Sequence, residues 1–493
     1  MPSQRIDQIG GHGLNSDLGP FSLPPNAWTD AQHVIPRDGK ARCAWNPKLA
    51  FSVEVMPKFR FSFLDSLDRQ YLIVSDGIQV QAYTIDGFGE NITPEGGTAT
   101  NRVTMCNHNG VLVYNSVSDG PFYWPGPGNK LQPMTDTGWP DDWRCDGMAS
   151  FKYYLVAYGM YEREQVGQDR KRYQHKIRWS NSSVEGTIPN QWIPAATNDA
   201  GDDILGETSG PLIGTRLVQD QLWIIKTDAV YSLSYIGLPA VLANRRLNGV
   251  FRIGSEEATA EFKGSLVLLS GDDLYSYDGA QTTSLTKGKV SERLKESLVV
   301  GGASRGDVFL SGDNRYLWVL GKGSSDGAHS EALVMETTTG AWGHVALNSV
   351  YGLENVVTTT PGGGRNTAVL AFERSGSGWR AVYMTDDGTG EAGKVSRITR
   401  AQMPIAGADT LSMLTQVWPE VNGAFTGSFS FTATGPTAGV FRTDGPLGFT
   451  SSRDYAVFPR ITGRHIGWTM ETSDNGPWEI GSLTLRLEPA GDH

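Results

Sequence analysis

The chain has 493 residues, with 42 Lys and Arg against 53 Asp and Glu and a formal net charge of −11, so it lacks the basic footprint of a protein that grips nucleic acid. Charged residues make up 19% and hydrophobic ones 39%, with 60 Gly and 25 Pro, a balance that favours strands joined by tight turns over helices. Cys43, Cys106 and Cys145 are odd in number and far apart, which argues against a disulfide framework and fits folding in a reducing cytosol.

The start, Met1-Pro2-Ser3-Gln4-Arg5-Ile6-Asp7, has no apolar core of signal-peptide type. No apolar run approaches the roughly 18 residues of a membrane span. Residues 1–50 read as an extended, Pro-rich arm. Pro20, Pro24, Pro25 and Pro36 fix φ and remove backbone donors, which excludes a helix interior or a central strand. Asp38-Gly39 is a hairpin-type turn signal, and Trp28 is a large apolar anchor by which the arm is pinned to a surface or a neighbour.

From 51 to 400 a short apolar strand recurs with a leucine in similar context, at Leu72, Leu112, Leu155, Leu222, Leu266, Leu317 and, more weakly, Leu370. Several are followed by a turn and an alternating strand, as in Ser75-Asp76-Gly77 before Val80-Gln81-Ala82-Tyr83, which is a hairpin. The leucine spacings of 40, 43, 67, 44, 51 and 53 residues suit four-stranded blades, with the 67 marking a charged insertion near 162–210. After Arg400 longer strands alternate with Gly-rich turns such as Asp444-Gly445-Pro446-Leu447-Gly448. The prediction is all-β: a β-propeller of about six or seven blades over 51–400, an additional C-terminal β-sandwich-like domain over 401–493, and the extended N-terminal arm. Unrelated β-meanders in a sandwich are the alternative architecture.

Chemical motifs are sparse. His12, His33, His108, His175, His329, His344, His465 and His493 show no zinc-ligand spacing. Gly362-Gly363-Gly364-Arg365 lies between strand-like segments, so it reads as a loop and not as a phosphate cradle. Ser473-Asp474-Asn475-Gly476-Pro477-Trp478 faintly matches the structural turn of sialidase propellers, without the arginine cluster and nucleophile of that class. No catalytic residue, metal or cofactor is assigned. Arg170, Lys171 and Arg172 form a basic loop that either is solvated or meets an acidic partner.

Three segments carry a family resemblance. The first runs from Gly10-Gly11-His12-Gly13-Leu14-Asn15-Ser16-Asp17 through Leu23-Pro24-Pro25-Asn26-Ala27-Trp28-Thr29-Asp30-Ala31-Gln32 to Val34-Ile35-Pro36-Arg37-Asp38-Gly39. The second joins Arg460-Ile461-Thr462-Gly463-Arg464-His465-Ile466-Gly467-Trp468-Thr469-Met470-Glu471 to Trp478-Glu479-Ile480-Gly481-Ser482-Leu483-Thr484-Leu485-Arg486-Leu487-Glu488. The third is Ile177-Arg178-Trp179-Ser180 with Trp192 downstream. Together they resemble the tail nozzle proteins of short-tailed bacteriophages (podoviruses), also called packaged-DNA stabilisation or tail tubular proteins.

That resemblance implies a structural component of the virion tail, not an enzyme, assembled in the host cytoplasm. It implies a homo-hexameric ring below the portal-adaptor (head-tail connector) ring that conducts and gates genomic DNA without sequence-specific binding. A tail fibre or spike docks on such a ring, and a tail needle or plug is a further partner. A negative lumen would repel phosphates and avoid holding the DNA. Acidic pairs at predicted turns, Asp141-Asp142, Asp202-Asp203, Glu256-Glu257, Asp272-Asp273 and Asp386-Asp387, are the candidates for that lumen, each with a solvated turn as its alternative. Trp28, Arg37, Arg170, Lys171 and Arg172 are the candidates for assembly contacts. From another class, a propeller glycan-binding module or glycosidase would instead present a funnel of convergent polar groups.

Overall fold

The apolar strands at Leu72, Leu112, Leu155, Leu222 and Leu266 are the second strands of five four-stranded antiparallel sheets, each a simple meander. A computed structural model of the chain describes residues 3–490 apart from 101, 164–167, 239, 301–302, 305, 325, 360–364, 392–393, 406–410, 435–439 and 475. The Gly362-Gly363-Gly364 stretch thus lies outside the described residues. The chain divides into a repeat unit, Ala50–Thr283 with Tyr351–Ala381, and a terminal unit, Met1–Leu49 with Ser284–Val350 and Val382–His493.

In the repeat unit the first sheet is Phe59–Leu64, Gln70–Ser75, Val80–Thr84 and Gly89–Asn91. Its tight turn has a chemical cause: one Asp76 carboxylate oxygen accepts the Ile78 and Gln79 N–H groups at 2.7 Å each, and Gly77 supplies φ 95°. Four further sheets follow over 103–133, 144–204, 212–246 and 259–284. Second strands are buried on both faces, and each pair of neighbouring sheets closes over its own apolar cluster. One such cluster joins Phe63, Tyr71 and Ile73 to Leu112, Tyr114 and Trp124. The first strand of each sheet lies against the first strand of the next. This is an all-β, propeller-like arrangement of four-stranded antiparallel sheets.

The insertion expected near 162–210 is in part sheet. Lys171–Trp179 pairs with Tyr154–Glu162 and with Gly201–Ile204, so the third sheet continues through it.

The terminal unit overturns two expectations. Residues 1–50 are not an extended arm lying outside the sheets. Ser3–Asp7 pairs with the final strand, Glu479–Pro489, with Ile6 opposite Leu483. Val34–Arg37 and Lys40–Cys43 form a hairpin about Asp38 and Gly39, whose φ values of 50° and 79° suit a two-residue turn. Pro36 sits inside this hairpin, opposite Ala41. It is tolerated because ladder bonds alternate outward from the Arg37–Lys40 pair, which leaves Pro36 at a position that donates none to its partner. The second correction concerns 401–493, which does not stand apart. Ser396–Pro404 pairs with His465–Thr472 on one side and Asp30–Gln32 on the other, and Lys40–Cys43 pairs with the last strand. Residues 284–350, with the Leu317 strand Tyr316–Gly323, belong to this unit as well, so the predicted 51–400 boundaries do not hold.

Candidate functional site

Charged groups gather around the first strands of the repeat unit, with Asp146 buried and its partners partly exposed. Arg144–Phe151 is the first strand of the third sheet, and within it Asp146 is 2% exposed among apolar neighbours. Its carboxylate accepts from Arg172 at 2.7 Å and from the Tyr161 hydroxyl at 3.0 Å, and it faces Arg102 at 3.7 Å. Gly159 makes this possible, because at its φ of +65° a Cβ would stand 2.3 Å from the Asp146 oxygen.

A second acid, Glu256, accepts from Arg216 at 2.7 Å, from the Thr215 N–H at 3.3 Å and from the Tyr158 hydroxyl at 3.3 Å. Burial, and then the Glu256 charge, push the Tyr158 pKa well above the ordinary tyrosine value, so Tyr158 serves as a neutral donor. Arg102 also donates to the Ile213 carbonyl at 3.0 Å, and so links the second sheet to the fourth.

The third acid is Glu354, beside Arg60. Gly352 leaves the room for that guanidinium, since a Cβ there would overlap it. Burial pushes the Glu354 pKa up to about 7, against the opposing pull of the Arg60 charge. Cys106 is half-buried, and burial pushes its thiol up to about 12, so it is not a thiolate nucleophile at neutral pH. The arrangement cross-links neighbouring sheets through charge-assisted hydrogen bonds.

Among the described residues no three His, Cys, Asp or Glu side chains are grouped to hold a metal ion. No helix is long and apolar enough to cross a membrane among the described residues. An open depression of about 590 Å³ lies at the turns of the first two sheets, lined by Lys58, Asp76, Ile78, Ala99, Thr100 and Ser118.

The acidic pairs predicted from turns do not form one site within the chain. Of them, only Glu256 joins this charged cluster, while Glu257 is exposed. Asp202 and Asp203 lie on the fourth strand of the third sheet, far along the sheet from its inner strand. Asp202 pairs with Lys176 at 3.1 Å and Arg178 at 3.5 Å, and Asp203 accepts from the Asn244 amide. Asp141 is exposed, and the Asp142 carbonyl accepts from Arg170 at 2.7 Å. Asp272 is exposed and Asp273 half-buried at a hairpin turn. Asp387 accepts the Thr389 N–H at 2.8 Å.

The assembly candidates are also engaged within the chain. Trp28, expected to pin the N-terminal segment to a surface or to a neighbour, is fully buried in the terminal unit with its indole N–H on the Ile9 carbonyl at 2.7 Å, so it anchors within its own chain. Its own chain covers it, which the local sequence does not reveal. Arg37 pairs with Asp386 at 3.1 Å, and Arg42 reaches the same oxygen at 3.3 Å. Burial raises the Asp386 pKa above the ordinary value, with the Arg37 charge opposing. Lys171 lies over the Tyr173 ring at 5.3 Å, and Arg172 holds Asp146. Sequence reasoning missed Asp146, Arg102, Tyr158, Arg216 and Glu354. An acid inside a buried strand, as at Asp146, was the available signal.

No known protein family matches the chain, and no curated protein does so. Among solved structures it is similar to a streptogramin B lyase at 10% identity and TM-score 0.40, over 69% of this chain and 99% of that one. It is similar to BamB from Moraxella catarrhalis at 11% identity and TM-score 0.36, over 78% of this chain and 97% of that one. A virginiamycin B lyase from Staphylococcus aureus is similar at 7% identity and TM-score 0.36, over 68% and 98%.

Proposed function

We propose that the protein is a non-catalytic structural subunit of a short phage tail, a nozzle ring of six copies below the portal-adaptor that conducts and gates DNA. The observation that carries this reading is that the two ends bearing the resemblance build one module. The Phe21 ring meets His465 edge-on at 4.7 Å, the Ile9 N–H donates to the Gly481 carbonyl at 3.1 Å, and Lys40 pairs with Glu479 at 3.0 Å. Segments so far apart in sequence then act together as one part of the machine.

In this reading the repeat unit is a six-bladed propeller. Five blades are the consecutive sheets, and the sixth is built from 351–381 and closed by Asn46–Val53, which pairs with Gly378–Thr385. The charged groups around Asp146, Glu256 and Glu354 brace that propeller, because Arg102 with Asp146 and Arg216 with Glu256 tie blade to blade. A scaffold that withstands DNA passage needs such bracing more than it needs a reactive group.

Mixing the full chain with its portal and adaptor tests the assignment by mass photometry. The expected result is a complex heavier than the adaptor-portal particle by six chains. A chain that stays monomeric with both partners present contradicts it, and turnover of a glycan panel would favour a glycosidase instead.

A further inference from the structure

Arginines gather at the start of the third sheet of the repeat unit, in a chain that is acidic as a whole. Arg144 opens the first strand of that sheet, and its guanidinium donates to the Ser118, Asp141 and Trp143 carbonyls at 3.3, 3.0 and 2.6 Å. Arg170, just before Lys171–Trp179, donates to the Asp142 carbonyl at 2.7 Å. The two side chains thus grip one short turn, 141–143. Gly120 leaves room for the first of them, because at its φ of +114° a Cβ would stand 3.3 Å from the Arg144 guanidinium.

Among the described residues neither guanidinium is ion-paired to a carboxylate. Main-chain carbonyls fix their positions and leave their charge whole. The two also act on one another: burial first, and then the Arg170 charge, lower the Arg144 pKa from the ordinary arginine value, while Asp119 and Asp141 oppose this more weakly. Arg172 stands two residues on from Arg170 and shares Asp146 with Arg102, at 2.7 and 3.7 Å. In direct contact, four guanidiniums have one carboxylate between them. Holding half-buried like charges side by side is unfavourable, and an anion seated between them removes that cost.

A guanidinium fork matches the paired oxygens of a phosphate, and both terminal nitrogens of Arg170 are without a protein acceptor among the described residues. The fitting ligand is compact. A DNA duplex presents a row of phosphates, which the exposed Asp141 and half-buried Asp142 on the same turn repel. We propose that Arg144 and Arg170, flanked by Arg172, bind a single phosphate group, which ties the segment before Lys171–Trp179 to the Ser118 turn of the second sheet. The site lies within the repeat unit, so it is tested apart from the hexamer reading.

Calorimetric titration of the full chain with inorganic phosphate, at an ionic strength held constant with chloride, tests it, with hydrogen exchange read at 141–144 and 168–172. Binding should saturate and slow exchange in both segments. Arg170→Gln, at a half-buried position outside the strands, should weaken binding by about tenfold with circular dichroism unchanged, and Arg144→Gln should weaken it as well. Lys152→Gln removes the same charge at the hairpin turn at the other end of Arg144–Phe151 and should leave binding as it is. Glycerol phosphate in place of the free ion shows whether an ester is the better source, and Arg170-dependent binding of either supports the site. No binding above that of chloride would overturn it. Equal weakening by Lys152→Gln and Arg170→Gln would do the same, by reducing the effect to net charge. A short DNA duplex that binds more tightly than phosphate and depends on Arg170 would also overturn it, by assigning the arginines to a nucleic-acid backbone.

Discussion

Trp28→Ala is expected to lower the stability of the terminal unit by about 3–5 kcal/mol, the largest effect of any single substitution considered for this chain. Trp28 is fully buried, and its short strand lies parallel to Gly13–Leu14, with Leu14 opposite it. Truncation opens a cavity the size of an indole, which close-packed neighbours fill only in part. It also strips the Ile9 carbonyl of its donor, a loss of about 1 kcal/mol by itself. Trp28→Phe keeps much of the volume and loses the hydrogen bond, so it should fall well short of the alanine effect. Urea unfolding with hydrogen exchange read at 3–7 and 479–489 separates the terminal unit from the rest. A change below about 1 kcal/mol for the alanine variant would show that Trp28 does not hold the N-terminal segment in place.

The second large effect depends on pH. Glu354 has a folded pKa of about 7, raised chiefly by burial, and in the unfolded chain it titrates near the ordinary 4.5. Between those values the folded state holds the extra proton, so stability falls as pH rises. The contribution is fully present below pH 4.5 and lost as pH passes 7, and its size is of order 2–3 kcal/mol. Glu354→Gln keeps the shape of the protonated acid and cannot ionise, so the variant should gain on the wild type as pH rises and match it near pH 4.5.

His33 and His108 act in the opposite direction. Burial first, and for His33 also the Lys394 charge, lower their values to about 3 and about 4, so they withdraw stability as pH falls below 6.5. The difference between wild type and Glu354→Gln cancels the histidine contribution. A difference that stays flat from pH 4.5 to 8 would mean that Glu354 titrates in the folded protein as it does in the unfolded chain.

Much of the repeat unit was legible because its signals are local. A run such as Leu72-Ile73-Val74 followed by Asp76-Gly77 contains both a strand buried on two faces and the turn that reverses it. The same locality misled at Leu317. Tyr316–Gly323 reads like the other second strands, yet its sheet continues through His329–Glu336 and Trp342–Thr359 to Val34 in the terminal unit. Pairing of Ser3–Asp7 with Glu479–Pro489 spans nearly the whole chain, and no window of sequence reports it.

The charged cluster was hidden for a related reason. Acidic pairs at turns stand out, whereas Asp146 is a lone acid after Cys145, and its partners Arg102, Tyr161 and Arg172 come from a neighbouring sheet and from later strands of its own. Resemblance pointed to the two ends of the chain, and it could not foretell that Phe21 and His465 would touch.

Cryo-electron microscopy of tails from virions carrying this chain tests the central assignment most directly. The account predicts a six-fold ring below the portal-adaptor, with each subunit density accommodating both the repeat unit and the terminal unit. A tail without six-fold copies of this chain at that level would contradict it.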